Sequence, residues 1–321
     1  MKKDDLLYDK FIEIIKGRIP EKGKLVNDLI DLLGIEKEGI YRRLRGDVPF
    51  SFFEVTKISR EYSISLDSIV GNFNVINRSF NVKLLEFLAP KDFHISAISD
   101  YTFNLKSLVF DLDSESGSIS TMIPIALCIR YKPLYKFYMY KWYIEFRSED
   151  YKMSYSDINI DKRLEKVNEE FVLSVRNSPN SVYIFDELFI LYFVKDIKYF
   201  EDIKLLTKEE ISVIKASLHL FLNDLERYAI KGQFDEGGKV NIYISNIHFE
   251  GNLNYINSKQ YKFAIIRAFT LNDIYSTDEI VCAEMKKWCL FLKRASTLIS
   301  QSSELKRIEF FGKQRELVEM L

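Results

Sequence analysis

Residues 37–46 read Lys-Glu-Gly-Ile-Tyr-Arg-Arg-Leu-Arg-Gly. Four basic groups, Lys37, Arg42, Arg43 and Arg45, stand here against one acid, Glu38, with the phenol of Tyr41 among them. Such a set suits a polyanion that also displays hydrogen-bond acceptors. A guanidinium bonds two acceptors on a guanine edge at once, and an ammonium or hydroxyl bonds a base or a phosphate. Arg42 and Lys37 are the candidates for reading bases. Tyr41 is placed for a thymine methyl or a phosphate, and Arg43 and Arg45 for holding the backbone, where most such contacts fall. Glu38 can accept from cytosine, or repel phosphate and so fix register.

These groups need a seated helix, because about ten residues of helix are marginal alone. Leu25, Val26, Leu29, Ile30 and Leu33 recur at three- and four-residue steps and predict one helix, ended by Gly34, which tolerates the left-handed backbone past a C-terminus. The next runs from about Glu36 to Arg45, with Ile35, Ile40 and Leu44 inward and Gly46 closing it. Ser51 and Glu54 fit a capping box, opening a helix whose expected apolar stripe is Phe52, Val55, Ile58 and Tyr62. Ser65 caps a last short helix with Leu66, Ile69 and Val70, and an earlier one over 5–18 offers Leu7, Phe11, Ile14 and Ile15. The expectation is a five-helix bundle.

This order resembles the phage-repressor family of helix-turn-helix domains, the Xre/Cro type. The resemblance lies in Leu33-Gly34-Ile35, in Ile40-Tyr41-Arg42-Arg43-Leu44-x-Gly46 and in Tyr62-Ser63-Ile64-Ser65-Leu66-Asp67. It departs at Glu36, where the family often has Ser or Thr as cap. It implies double-stranded DNA as partner, a recognition helix entering the major groove and a homodimer on a pseudo-palindrome. The competing expectation is a protein–protein adaptor that uses the bundle as a docking module. Charge leaves both open: residues 1–70 hold eight Lys and five Arg against seven Asp and six Glu, whereas strong non-specific DNA binding usually accompanies a basic domain.

The whole chain has 321 residues, 47% hydrophobic and 29% charged, a globular composition long enough for two or three domains. A net charge of -1 argues against a general polyanion binder. With only 12 Gly and 6 Pro, long regular elements are expected. We divide it into a helix-turn-helix domain over 1–71, an asparagine-rich linker over 72–81 and a regulatory or dimerisation domain over 82–321. In the last, 82–88 reads as helix. Tyr101, Phe103 and Leu105 alternate like a strand, and 113–120 is turn-rich. Helices are expected over 134–146, 161–175, 186–203, 207–230, 278–300 and 304–321, and three or four antiparallel strands between 240 and 269. The fold class expected is therefore mainly α with a smaller antiparallel sheet (α+β), the N-terminal helix-turn-helix bundle joined to a larger helix-rich domain. The layout also resembles multi-part bacterial transcription regulators. The larger domain would then supply dimerisation, sensing of a small-molecule or protein effector, or both. The aromatic run 131–146 and the late sheet are the candidate lining for a ligand or interface, and a compact core would use the same residues.

Little else suggests chemistry. Val109-Phe110-Asp111-Leu112-Asp113 resembles the nucleophile motif of haloacid-dehalogenase-type phosphatases, which would make Asp111 the nucleophile and Asp113 the acid/base. However, Ser114-Glu115 replaces the usual Gly-Thr, and no downstream acidic pair follows a strand. Asp111, Asp113, Glu115 and Gly117 approach a calcium loop, but Met122 stands at its twelfth position. Residues 232–239 resemble a phosphate loop with the glycine–lysine spacing off by one, and read as a turn. His94, His219 and His248 lie far apart. No catalytic site, metal or cofactor is expected. No signal peptide or membrane span is read, and Cys128, Cys282 and Cys289 form no disulfide framework, so a cytoplasmic location is expected.

Overall fold

The computed structural model describes residues 3–18, 22–62, 81–83, 111–146, 153–259, 261–269 and 272–321, with isolated further positions between 64 and 108. The chain divides into two compact units, Met1–Ser79 and Phe80–Leu321.

In the first unit, hydrophobic spacing folds helices α1 (Lys3–Arg18), α2 (Lys22–Leu33), α3 (Lys37–Arg45) and α4 (Phe52–Glu61) around one core. Phe11, Ile15, Leu25, Leu29, Ile40, Leu44, Phe50 and Ile58 fill it. The turn between α2 and α3 needs Gly34 at φ 67°, and α3 ends on Gly46 at φ 83°; both lie in the left-handed region that a Cβ disfavours. Ser51 and Glu54 form the expected reciprocal capping box on α4. Phe52 departs from expectation. It lies on the first turn, outside the packed face, and is 80% exposed, as Phe53 is at 68%. Of the helix expected after Ser65, Leu66 and Ile69 are helical and Ile69 joins the core; the rest of it, and most of the linker, lies outside the described residues.

The second unit overturns the expected fold class. Its sheet is neither small nor wholly antiparallel: it is mixed, with eight strands in the order β1-β7-β6-β5-β2-β3-β4-β8. These are β1 (Asn81–Lys83), β2 (Glu115–Ser120), β3 (Asn180–Phe185), β4 (Lys239–Ser245), β5 (Leu253–Asn257), β6 (Lys262–Phe269), β7 (Asn272–Ser276) and β8 (Ser296–Leu298). The central β2, β3 and β4 run parallel. A meander from β5 through β7 to β1 flanks them on one side and β8 on the other, all antiparallel. Parallel strands need helical crossovers. Between β2 and β3 run α5 (Ile125–Cys128), α6 (Lys132–Phe146) and α7 (Lys162–Arg176), and between β3 and β4 run α8 (Leu191–Asp202) and α9 (Lys208–Lys231). After β7, α10 (Glu279–Arg294) precedes β8, and α11 (Glu304–Val318) closes the chain.

Five strands were not expected, β1, β2, β3, β7 and β8, the last at 296–298 where the helix expected over 278–300 has already ended at Arg294; the physical causes are plain for β3 and β2. β3 is a short run, Ser-Val-Tyr-Ile-Phe, apolar on both faces because both are covered, and it carries no alternation. Tyr183 and Phe185 enter the core shared with α6, α8, α9 and α11, whereas Val182 and Ile184 enter that under α10. β2 carries the turn-like Ser116, Gly117 and Ser118. Its serines are buried, Ser116 Oγ lying 3.1 Å from Ser178 Oγ and 3.3 Å from Ser181 Oγ. Gly117 lies directly beneath the ring of Tyr255, closer than any Cβ could stand. Asn81–Lys83 pairs with Asp273–Tyr275, a strand where linker was expected at Asn81 and helix at Val82 and Lys83; 84–88 lies outside the described residues. Tyr101 to Phe103, Leu105 and Leu108 are helical rather than extended, and the helix expected from 186 begins at Leu191.

The aromatic run packs into the core. In α6, Phe137 meets Phe193 and Phe200 edge-on. Tyr138 donates to the Ile123 carbonyl at 2.6 Å and Tyr140 to that of Met153 at 3.1 Å, so these buried hydroxyls are satisfied internally.

Candidate nucleic-acid interface

Helix α3 sits on the bundle through Ile40 and Leu44, both buried. Gly39 faces the turn so closely that a Cβ there would collide with Ile35 Cγ2. The helix starts at Glu36, whose side chain makes no capping bond. Its other end is braced from α1: the Tyr8 hydroxyl donates to the Arg43 carbonyl at 2.9 Å and accepts from Phe50 N–H at 3.1 Å. Burial pushes the Tyr8 phenol above its ordinary pKa. Lys16 Nζ reaches the Leu44 carbonyl at 3.4 Å.

The six candidate side chains separate into tied and untied. Arg43 is tied. Its Nε and Nη2 grip both oxygens of Glu54 at 3.1 and 3.0 Å, and Nη1 reaches the Gly39 carbonyl at 3.3 Å. Burial raises the Glu54 carboxyl, but Arg43 and the Ser51 N–H outweigh it and leave the pKa below its ordinary value. Arg45 is exposed and bonds Asp47 at 2.9 Å and Glu38 at 3.2 Å, which also engages Glu38. Tyr41 is half-buried against the core. Lys37 and Arg42 are exposed, and among the described residues neither ammonium nor guanidinium has an ion-pair partner. Among the described residues, α3 thus carries two exposed cations without an ion-pair partner, on a helix braced from beneath.

Sequence reasoning missed Tyr8, whose partners lie 35 and 42 residues away and leave no local signal. It also missed Arg43–Glu54, although Glu54 had been recognised as a cap.

The other motifs resolve into structural roles. Asp111 accepts from Lys259 N–H at 2.9 Å and Asp113 pairs with Lys259 Nζ at 2.7 Å, in a turn that precedes a strand instead of following one. In 232–239, Gly232 caps α9 and Gly237 turns at φ 107°. His219 meets Glu319 at 2.9 Å and His248 lies 3.5 Å from Asp186, while His94 is outside the described residues. Among the described residues no group of three His, Cys, Asp or Glu is placed to hold a metal, and no helix is long and apolar enough to cross a membrane.

Compared with protein-family models, with curated proteins and with solved structures, the chain matches none.

Proposed function

We propose that the N-terminal unit is an Xre/Cro-type DNA-binding module and the chain a cytoplasmic, sequence-specific transcription regulator. It acts as a two-fold dimer, its larger unit serving association and effector response. One observation carries this reading: Lys37 and Arg42 are exposed and uncompensated on α3, whereas Arg43 and Arg45 are neutralised by carboxylates within the unit. An exposed, unpaired cation gains counterion release on meeting phosphate, and a guanidinium in the major groove also discriminates guanine. In this reading Arg42 and Lys37 read bases, Arg45 exchanges Glu38 and Asp47 for phosphate, and Arg43 acts by positioning α3.

The test is selection from random duplex DNA by the full chain at moderate salt, beside a Lys37→Ala/Arg42→Ala double variant. A palindrome enriched by the parent and lost in the variant is the expected result. No enrichment by either overturns the reading. In that case the exposed Phe52 and Phe53 favour the second reading, a bundle that docks a protein partner, since adjacent exposed aromatics beside Lys57 suit an apolar contact.

A further inference from the structure

Helix α9 carries more apolar surface than its own unit uses. Its inner face buries Ile214, Leu218, Phe221, Leu222 and Leu225. On the outer face, Val213, Ala216, Leu220, Asn223, Arg227 and Ile230 follow one another at alternating three- and four-residue steps. Val213 is 53%, Leu220 61% and Ile230 56% exposed, and Ala216 and Asn223 are also exposed. Glu209 extends the series by one more step. That spacing is the seam of a pairwise helix contact, maintained over a helix that rises about 36 Å.

The seam's polar members are already oriented. Asn223 Oδ1 accepts from Arg315 Nη2 of α11 at 3.1 Å, and Arg227 is held by Asp224 and Asp235. The Asn223 amide oxygen and the Arg227 guanidinium therefore keep their partners when apolar neighbours close over them. Alongside, Glu319, just past the end of α11, pairs with Lys215 at 2.8 Å and with His219.

The order of residue types selects the occupant. Laid antiparallel against a copy of itself about an axis between Ala216 and Leu220, α9 brings small Ala216 opposite large Leu220. Val213 then meets Asn223, and Glu209 meets Arg227. A parallel pairing would put Glu209 on Glu209, like charges that repel, and would set Leu220 on Leu220 beside Ala216 on Ala216, a bulge next to a gap. Self-complementarity of this kind is what a two-fold interface demands.

We infer that the outer face of α9 is where two copies of this chain associate, the two helices antiparallel. This rests on the two-fold reading above and supplies its surface. Sedimentation equilibrium of the full chain tests it, with circular dichroism confirming that variants stay folded. A concentration-dependent dimer is expected. Leu220→Arg should raise its dissociation constant about 100-fold or more, since each dimer loses two buried leucines. Cysteine pairing tests the orientation. Under a mild oxidant, a mixture of Glu209→Cys and Arg227→Cys chains should cross-link, and either chain alone should not; native Cys128, Cys282 and Cys289 are buried. A monomer at high concentration, a dimer indifferent to Leu220→Arg, or cross-linking by Glu209→Cys alone would each overturn the inference. A monomer that still enriches a DNA sequence leaves the α3 reading standing; a dimer that enriches none sinks that reading and not this one.

Discussion

Arg43 and Glu54 join α3 to the cap of α4 through two parallel bonds, at 3.1 and 3.0 Å, with both side chains largely withdrawn from solvent. The same carboxylate accepts the Ser51 N–H at 2.8 Å, so one residue both starts α4 and anchors α3. Arg43→Ala removes the anchor and leaves Glu54 half-buried without its cation. The expected cost is about 1–2 kcal/mol in the N-terminal unit. Amide exchange across residues 37–54 should accelerate by the corresponding factor. Arg43→Lys should recover only part, because an ammonium cannot bond both oxygens in the same plane. Exchange unchanged in Arg43→Ala would show the pair to be idle.

Lys37 and Arg42 should differ in what they lose. Lys37 reads its base with a single-point ammonium, so Lys37→Ala should cost less discrimination than Arg42→Ala and should lower the salt slope of binding by about 1. Arg42→Ala should cost about 1–3 kcal/mol on the selected sequence and little on a scrambled one. Binding isotherms at several salt concentrations separate the two, and equal losses on both duplexes for Arg42→Ala would refute its base-reading role.

Gly117 has no room for a methyl group beneath Tyr255. Gly117→Ala should destabilise the larger unit by about 1–3 kcal/mol, the usual cost of overpacking. Adding Tyr255→Leu should return part of that, although Tyr255→Leu is destabilising alone. Urea denaturation followed by the fluorescence of Trp142 and Trp288, both in that unit, reads the effect; additive losses would mean that the contact is not the cause.

Glu115 is held between Lys286, the Tyr255 hydroxyl at 2.6 Å and the Asn180 amide at 3.2 Å. Burial pushes its carboxyl up, but Lys286 and Tyr255 prevail and hold the pKa below its ordinary value. A depressed folded pKa stabilises fully above the unfolded value and is lost as pH falls through the folded one. Lys286→Met should therefore cost about 2–3 kcal/mol at neutral pH and progressively less in acid. Glu115→Gln/Lys286→Met should cost less than the two single changes added together. Additivity, or a loss for Lys286→Met that does not shrink in acid, would refute the pairing.

What the sequence made legible was local. Gly34, Gly46 and the Ser51–Glu54 box announce helix ends within four residues of chain, and the structure has each. What it hid was decided at a distance. Ser116, Gly117 and Ser118 read as a turn until Tyr255 and β5 cover them; Val182 to Phe185 is strand because helices lie on both sides, and nothing in the run itself says so. At α3 the charges were legible and their pairing was not: Arg43 looks like its neighbours until Glu54, eleven residues on, takes it out of play.

The pairing of β1 with β7 also sets an order of assembly during synthesis. Val82 lies opposite Ile274, so the first strand in the chain finds no neighbour until the growing chain has passed Ser276. The helices of the first unit close through short loops long before then, whereas this ladder bears the entropy of a very long one. A chain halted before Asn272 would hold Asn81–Lys83 without its mate and leave the outer edge of β6 unpaired, open to whatever strand it met first.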